Sequence, residues 1–329
     1  MINAAIVGLG RWGQNLVNSI QSKSDKIRIV AGTTRTVEKA KDYAKQQGFP
    51  LHDAYGKVLS DPGINAVVLA TPHSLHAEQI IAAAKDGKHV FTEKPFTLTK
   101  QDAEACVQAC ADNQVTLAVG FNWRCQPALQ EIKRMLDDGR LGKLLHIEGN
   151  FCGPGVYRYT ADHWRQSREE GPAGGMTGRG VHIVDAMLYL SGRIDTVHSQ
   201  SCRQVHDHGI DDTTSMLFRF KNGATGYLGT FIATAETWRM QVIGSKGWVE
   251  VGGVEHLTTW TLRLCYVNQR PQTLSFPRVS TERAELENFA DAIKARRPLV
   301  VAGGDEIHGV AVLDAILESA KNDATVKVS

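Results

Sequence analysis

The stretch Ala4-Ala5-Ile6-Val7-Gly8-Leu9-Gly10-Arg11-Trp12-Gly13 decides the fold. Its apolar run has the length of a buried strand, and Asn15–Gln21 beyond it reads as helix. Between them the glycines at 8, 10 and 13 make the pattern G-x-G-x-x-G. The first glycine permits a tight turn, and the second lets backbone approach a pyrophosphate. The third lets helix pack on strand, and the helix N-terminus attracts the phosphate charge. A glycine-rich turn that binds nothing is the competing reading. The strand–turn–helix context favours a dinucleotide site, with Gly8, Gly10, Arg11, Trp12 and Gly13 around it.

The next strand, Ile27–Ala31, sharpens the expectation. A carboxylate about 20 residues past the glycines bonds the ribose 2′-hydroxyl in NAD-binding proteins. Here the chain reads Gly32-Thr33-Thr34-Arg35. Two hydroxyls and an arginine suit a 2′-phosphate, so NADP(H) is expected ahead of NAD(H), with Thr33, Thr34 and Arg35 at the phosphate. The alternative is a solvated Arg35 and a Thr34 that only caps the following helix.

Strand and helix then alternate. Val37–Gln47 reads as helix, ending at Gly48, and Ala54–Ser60 as a short one. Ala66–Ala70 is a buried strand leading into Thr71-Pro72-His73-Ser74-Leu75-His76, where Ser74 suits the cap of a helix over Leu75–Asp86. His73 and His76 fall near the expected cofactor crevice, although loop histidines also serve as backbone-bonded struts. Lys88–Phe91 is the next strand, and Glu93-Lys94-Pro95 follows it. A lysine leaving the carboxyl end of a parallel strand stands where open α/β sheets hold ligands. Proline fixes its own φ and keeps Lys94 extended. Such a lysine can donate to a reacting oxygen or handle a proton. A helix from Thr99 to Asn113 and a strand Val115–Val119 complete a parallel, doubly wound sheet over residues 1–121.

After Gly120 the texture changes. Pro127–Asp137 is an amphipathic helix, Leu144–Phe151 alternates as a strand, and Cys152–Gly175 is loop-like. A glycine-bounded helix carries His182 and Asp185, three residues apart and so on one face. From Ile194 to Phe276 strands dominate, with Asn222-Gly223 as the clearest hairpin turn. This predicts an α+β second domain over 122–329 with a mostly antiparallel sheet. It closes on helices at 282–296 and 306–321, with the segment 305–321 a candidate to pack back on the first domain. A length of 329 residues favours two domains. A net charge of +2 with interspersed signs argues against a nucleic-acid partner, and no apolar run has membrane-spanning length. Six cysteines without C-x-x-C spacing read as reduced thiols in a cytoplasmic protein.

Taken together, these motifs resemble the glucose–fructose oxidoreductase / inositol dehydrogenase (Gfo/Idh/MocA) family. They are Gly8–Gly13, Thr71-Pro72 with His76, Glu93-Lys94-Pro95, Gly120-Phe121-Asn122-Trp123-Arg124, Gly174-Gly175 leading to Gly180 and His182, and a closing helix from Gly303 to Ala320. The resemblance implies a Rossmann domain, a second domain with an open-faced sheet, and homodimers or homotetramers. It also implies NAD(P)-dependent hydride transfer to or from a sugar, sugar acid or cyclitol, without a metal. By that similarity His182 is the general acid/base and Lys94 orients the reacting oxygen. Thr71, Pro72, His73, His76, Glu93, Lys94 and Asn122 join the cofactor contacts. Lys94, Arg124, Trp164, Arg165, Arg179, His182 and Asp185 join the substrate contacts.

One departure stands out. The family commonly carries Asp four residues before the histidine, and here that position is Gly178, followed by Arg179. Asp185 is then a candidate to orient the imidazole. Arg179 is either a substrate-binding cation or a structural ion-pair partner. Two other activities stay open: redox-neutral glycoside cleavage or isomerisation with a tightly held cofactor, and NAD(P) sensing without catalysis. His206-Asp207-His208 with Asp211-Asp212 is read as surface loop.

Overall fold

The first β-strand, β1 (Ile2–Val7), is nearly all buried, as a central parallel strand covered on both faces must be. It belongs to a computed structural model that describes residues 1–158, 160–161, 163–207, 209–254, 260–302 and 304–329. His208 and Gly303, each part of a motif above, and Asp162, in the loop-like stretch before Gly175, lie outside the described residues. The chain divides into two units.

The first unit gathers Met1–Thr97, Gln101–Asn122 and Ser280–Glu306. Its strands are β1, β2 (Ile27–Thr33), β3 (Leu51–His52), β4 (Ala66–Leu69), β5 (His89–Glu93) and β6 (Leu117–Gly120). They run parallel in the order β3-β2-β1-β4-β5-β6. The order reverses between β1 and β4, and the crevice outside the carboxyl ends at such a reversal is where these sheets take ligands. Its helices before residue 122 are α1 (Arg11–Ile20), α2 (Lys41–Gln47), α3 (Tyr55–Leu59), α4 (His76–Lys85) and α5 (Lys100–Asp112). Two local expectations shift. The segment 37–47 opens with a 3-10 turn before α2, and Ser74 lies inside a 3-10 turn, His73–Leu75, instead of capping α4.

The second unit contains α6 (Pro127–Asp137) and α7 (Val181–Ser191). Its nine-stranded sheet is built from β7 (Leu144–Cys152), β8 (Ile194–Cys202), β9 (Thr213–Phe220), β10 (Thr225–Phe231), β11 (Thr237–Gly244), β12 (Gly247–Gly253), β13 (Thr261–Tyr266), β14 (Gln272–Ser275) and β15 (Val326–Lys327). All its pairings are antiparallel except β7 with β10. Along β7, Ile147, Gly149 and Phe151 are buried while His146, Glu148 and Asn150 face the other way. On that second face Arg239 pairs with both Glu148 and Glu250. Gly149 lets α7 lie close on the sheet, since a Cβ there would stand 2.7 Å from Ile183 Cγ2. Almost every residue of α7 is buried, as expected of a helix apolar all round.

The closing helices part company. Helix α8 (Thr281–Ile293) belongs to the first unit, where Leu286, Phe289 and Ala290 join the core of Ile2, Ala4, Ile6 and the α1 residues Leu16, Val17 and Ile20. Burying a side chain such as Phe289 contributes about 1.5–3 kcal/mol. Polar ties reinforce it: Arg283 Nε donates to the Ser19 carbonyl at 2.8 Å, and Lys26 pairs with Asp291 at 2.7 Å. Helix α9 (Asp305–Asn322), the candidate to return to the first domain, falls from Ile307 onward in the second unit. Ser199 donates to its Ile316 carbonyl at 2.6 Å, and its His308 ring lies 3.1 Å from the Ile194 carbonyl.

Candidate active site

The turn after β1 is shaped by steric necessity. Gly8 has φ +94°, and a Cβ there would stand 2.5 Å from the Ala70 carbonyl oxygen. A Cβ at Gly13 would stand 2.0 Å from the Gly8 carbonyl oxygen. Both glycines are therefore demanded by packing, against the turn after β4 and against α1. Gly10 is different: a Cβ there would meet nothing within 4 Å. Its bareness leaves open space at the N-terminus of α1, where an approaching pyrophosphate finds backbone N–H groups. Thr33 ends β2 buried, Thr34 is half-buried and Arg35 is exposed.

His76 is fully buried and serves as a strut. Its Nδ1 lies 3.0 Å from the Pro95 carbonyl and its Nε2 lies 3.2 Å from the Thr71 carbonyl. It thus ties the turn after β4 to the turn after β5. The Thr71 hydroxyl donates to Gln79 at 2.6 Å, while the His73 ring lies 6.1 Å from that of His76.

Glu93 is the last residue of β5, so half-buried Lys94 is the first residue past its carboxyl end, joined to Pro95 by a cis peptide bond. The Glu93 side chain is 5% exposed, and its Oε2 accepts the Lys94 backbone N–H at 3.2 Å. Gly120 on β6 makes room for it, since a Cβ there would stand 3.0 Å from Glu93 Oε1. Burial pushes the Glu93 carboxyl up to about 7. The Lys94 ammonium and the Trp12 indole oppose that rise, and the Glu282 carboxylate adds to it. Asn122 Nδ2 donates to the Thr281 hydroxyl at 3.1 Å. Among the described residues of this unit, Asn122 Oδ1 is one of several buried side-chain atoms that meet no hydrogen-bond partner. The open space at Gly10 fits a dinucleotide's pyrophosphate, and buried Asn122 Oδ1 can accept from a nicotinamide's carboxamide N–H.

In the second unit His182 is buried at 4% exposure and stacks on Trp123, ring centroids 5.1 Å apart and planes 16° from parallel. Phe151, at 6.2 Å, flanks the same imidazole. Arg124 and Asp185, expected at the substrate, form a buried bidentate pair with each other. Arg179 donates to Glu236 at 2.7 Å and to the Cys152 carbonyl at 2.9 Å, and its guanidinium lies 4.7 Å from the Phe151 ring centroid. Gly153 admits this pair, as a Cβ there would stand 2.7 Å from Glu236 Oε2. Gly178 lies in a π-helical turn, Met176–Gly180, and a Cβ there would meet nothing within 4 Å. Sterics do not impose the missing carboxylate. Arg165 covers the Trp164 ring at 4.1 Å, beside His163.

Glu236, Thr281 and Glu282 were not singled out from sequence. No motif marks them, and the two on α8 reach the first sheet only because the chain returns to it. Asp211 pairs with Arg168 at 2.7 Å, and Asp212 accepts the Val205 N–H at 2.9 Å. Among the described residues, no group of three or more His, Cys, Asp or Glu side chains is placed to hold a metal ion. No helix among them is long and apolar enough to cross a membrane. Burial pushes the Cys106 and Cys110 thiols up to about 12 and about 11, which keeps them protonated and inert.

Comparison with known proteins agrees with this geometry. The model of an oxidoreductase family with an NAD-binding Rossmann fold, GFO/IDH/MocA, matches residues 2–121, and that of the GFO/IDH/MocA C-terminal domain matches residues 129–250. The scyllo-inositol 2-dehydrogenase (NAD(+)) of Bacillus subtilis (strain 168) is 30% identical over 270 residues, covering 78% of this chain and 75% of that protein. The D-xylose 1-dehydrogenase (NADP(+)) 2 of Haloferax volcanii is 27% identical over 320 residues, 96% of each. The crystal structure of aldose–aldose oxidoreductase from Caulobacter crescentus, complexed with glycerol, superposes with a TM-score of 0.90 at 25% identity, covering 99% of each chain. Fold and site define the class, an oxidoreductase with an NAD-binding Rossmann fold. Within that class, the chain belongs to the GFO/IDH/MocA family.

Proposed function

We propose that this protein is an NAD(P)-dependent dehydrogenase acting on a secondary alcohol, or the matching ketone, of a sugar or cyclitol. The observation that carries the reading is the packed Gly8–Gly13 turn with open space at Gly10 on the N-terminus of α1, together with half-buried Lys94 just past the carboxyl end of β5 beside buried Glu93. The named activities of relatives support the substrate class: inositol in one, xylose in another. Nicotinamide, when bound, supplies the hydride acceptor or donor.

The chain's own residues supply the rest. The Lys94 ammonium donates to the reacting oxygen and stabilises charge that develops there. His182 takes the hydroxyl proton in oxidation and returns it in reduction. Gly10 and the N-terminus of α1 receive the pyrophosphate. Thr34 and Arg35, with Thr33 ending the strand before them, bind a 2′-phosphate, which favours NADP(H) over NAD(H). Arg179 is paired with Glu236, which Arg158 also contacts at 3.3 Å, so we assign Arg179 to holding Phe151 and the end of β7, and we assign the substrate as uncharged from the inositol and xylose activities named for relatives. We place the enzyme in the cytoplasm, as a homodimer or homotetramer. The test is turnover: absorbance of the reduced nicotinamide followed with neutral sugars, cyclitols, sugar acids and their keto forms. Oxidation of sugar acids alone would refute the neutral-substrate assignment.

A further inference from the structure

We propose that Arg124 and Asp185 are positioning residues for His182, acting through the Trp123–His182 stack; this rests on the acid/base assignment of His182 made above. Arg124 follows Trp123 in the chain, and Asp185 follows His182 by three residues on α7, so they share a face. The pair joins two segments beside the two stacked rings.

The geometry has the form of an orienting clamp. Arg124 Nε lies 3.0 Å from each Asp185 oxygen, and Nη2 lies 2.7 Å from Oδ1. The side chains are 4% and 3% exposed. The same guanidinium lies 5.3 Å from the ring centroid of Tyr189, one turn further along α7. A planar guanidinium bonded twice to one carboxylate fixes angle as well as distance. Gln130 Nε2 donates to the Arg124 carbonyl at 3.2 Å and steadies the backbone on the other side. The segment carrying the indole is thereby fixed against α7, and the two rings stay near parallel. An imidazole exchanges its proton in the ring plane, so a stack on the ring face fixes the orientation of that plane without occupying it. Stability alone accounts poorly for the pair, because replacing a buried ion pair with apolar residues of similar volume is often neutral or stabilising.

That property makes the test clean. The double variant Arg124→Met/Asp185→Leu removes both charges and strands neither. It would be compared with wild type by thermal unfolding, NAD(P)H binding, kcat and KM across pH, and imidazole NMR resonances, with His182 assigned through its loss in His182→Gln. We expect a folded protein with cofactor affinity close to wild type and a displaced His182 resonance. We also expect kcat lowered about 10- to 100-fold, with KM changed less than about 3-fold and a shifted kcat–pH profile. Arg124→Lys keeps the charge and loses the planar fork, so it should show the same changes in weaker form, and it serves as the test if the double variant does not fold. A folded variant with the wild-type His182 resonance and pH profile would overturn the proposal. If wild type bound NAD(P)H but oxidised or reduced nothing, the acid/base reading would fail. The resonance position would still decide the positioning claim.

Discussion

Trp123 and His182 lie face to face, 5.1 Å between ring centroids, and Trp123 also meets Trp238 at 4.7 Å and Phe151 at 5.5 Å. Two rings, Trp123 and Phe151, thus flank the buried imidazole and restrict its tilt, while Trp238 packs on the indole. Trp123→Ala should cost about 3–5 kcal/mol of stability, as large aromatic truncations in cores do. Trp123→Phe keeps an aromatic surface and should fold, with kcat lowered about tenfold through a misaligned imidazole. Urea unfolding and steady-state kinetics of both variants check this. An unchanged kcat in Trp123→Phe would remove the indole from the account.

Glu93 sets a pH dependence with a definite sign. Its carboxyl ordinarily titrates at 4.5 and in the folded chain at about 7, because burial disfavours the charge. The folded state therefore holds the proton more tightly than the unfolded state. The stability this contributes is fully present below pH 4.5 and is lost as pH rises through 7. Glu93→Gln removes the titration, so its stability relative to wild type should rise between pH 5 and pH 8. Unfolding free energies of the cofactor-free proteins across that range test it. A difference that stays flat would show that Glu93 is ionised throughout.

Cofactor choice rests on Arg35 and Thr34. If they hold a 2′-phosphate, Arg35→Ala should weaken NADPH binding about tenfold, the scale of one charge-assisted hydrogen bond at an exposed site, and leave NADH binding unchanged. Fluorescence titration gives both constants. Tighter NADH than NADPH binding in wild type would refute the preference.

The Arg179–Glu236 pair is partly exposed, at 18% and 27%. Removing it should be mild: Arg179→Ala is expected to cost about 1 kcal/mol and to change KM for a neutral polyol less than about threefold. A tenfold rise in KM would place Arg179 against the substrate instead.

Much of this was legible in the chain itself, for a physical reason. Gly13 is dictated by a contact within one strand–turn–helix, and Gly8 by the turn after the neighbouring strand β4, so their spacing reports a closely packed turn. The parallel sheet announced itself through short apolar runs such as Ala66–Leu69. The buried pair Arg124–Asp185 did not, because its partners are 61 residues apart and each alone looks like a polar residue near a site. The same holds for the pairing of Arg179 with Glu236, 57 residues on, and for α8, whose amphipathic pattern says that it packs without saying on which sheet. His76 was placed by sequence in the right turn, but only its distances to two carbonyls show a strut.

The central claim is that this chain moves hydride at a neutral polyol, with Lys94 and His182 doing the oxygen and proton work. The most direct measurement follows reduced-nicotinamide absorbance with neutral sugars and cyclitols, in both directions and with both cofactors, for wild type, Lys94→Ala and His182→Ala. The account predicts turnover by wild type on at least one such compound. It also predicts a loss of about 100-fold or more in each variant, with NAD(P)H still bound. Tight cofactor binding without net redox on any compound, or turnover that survives both substitutions, would contradict it.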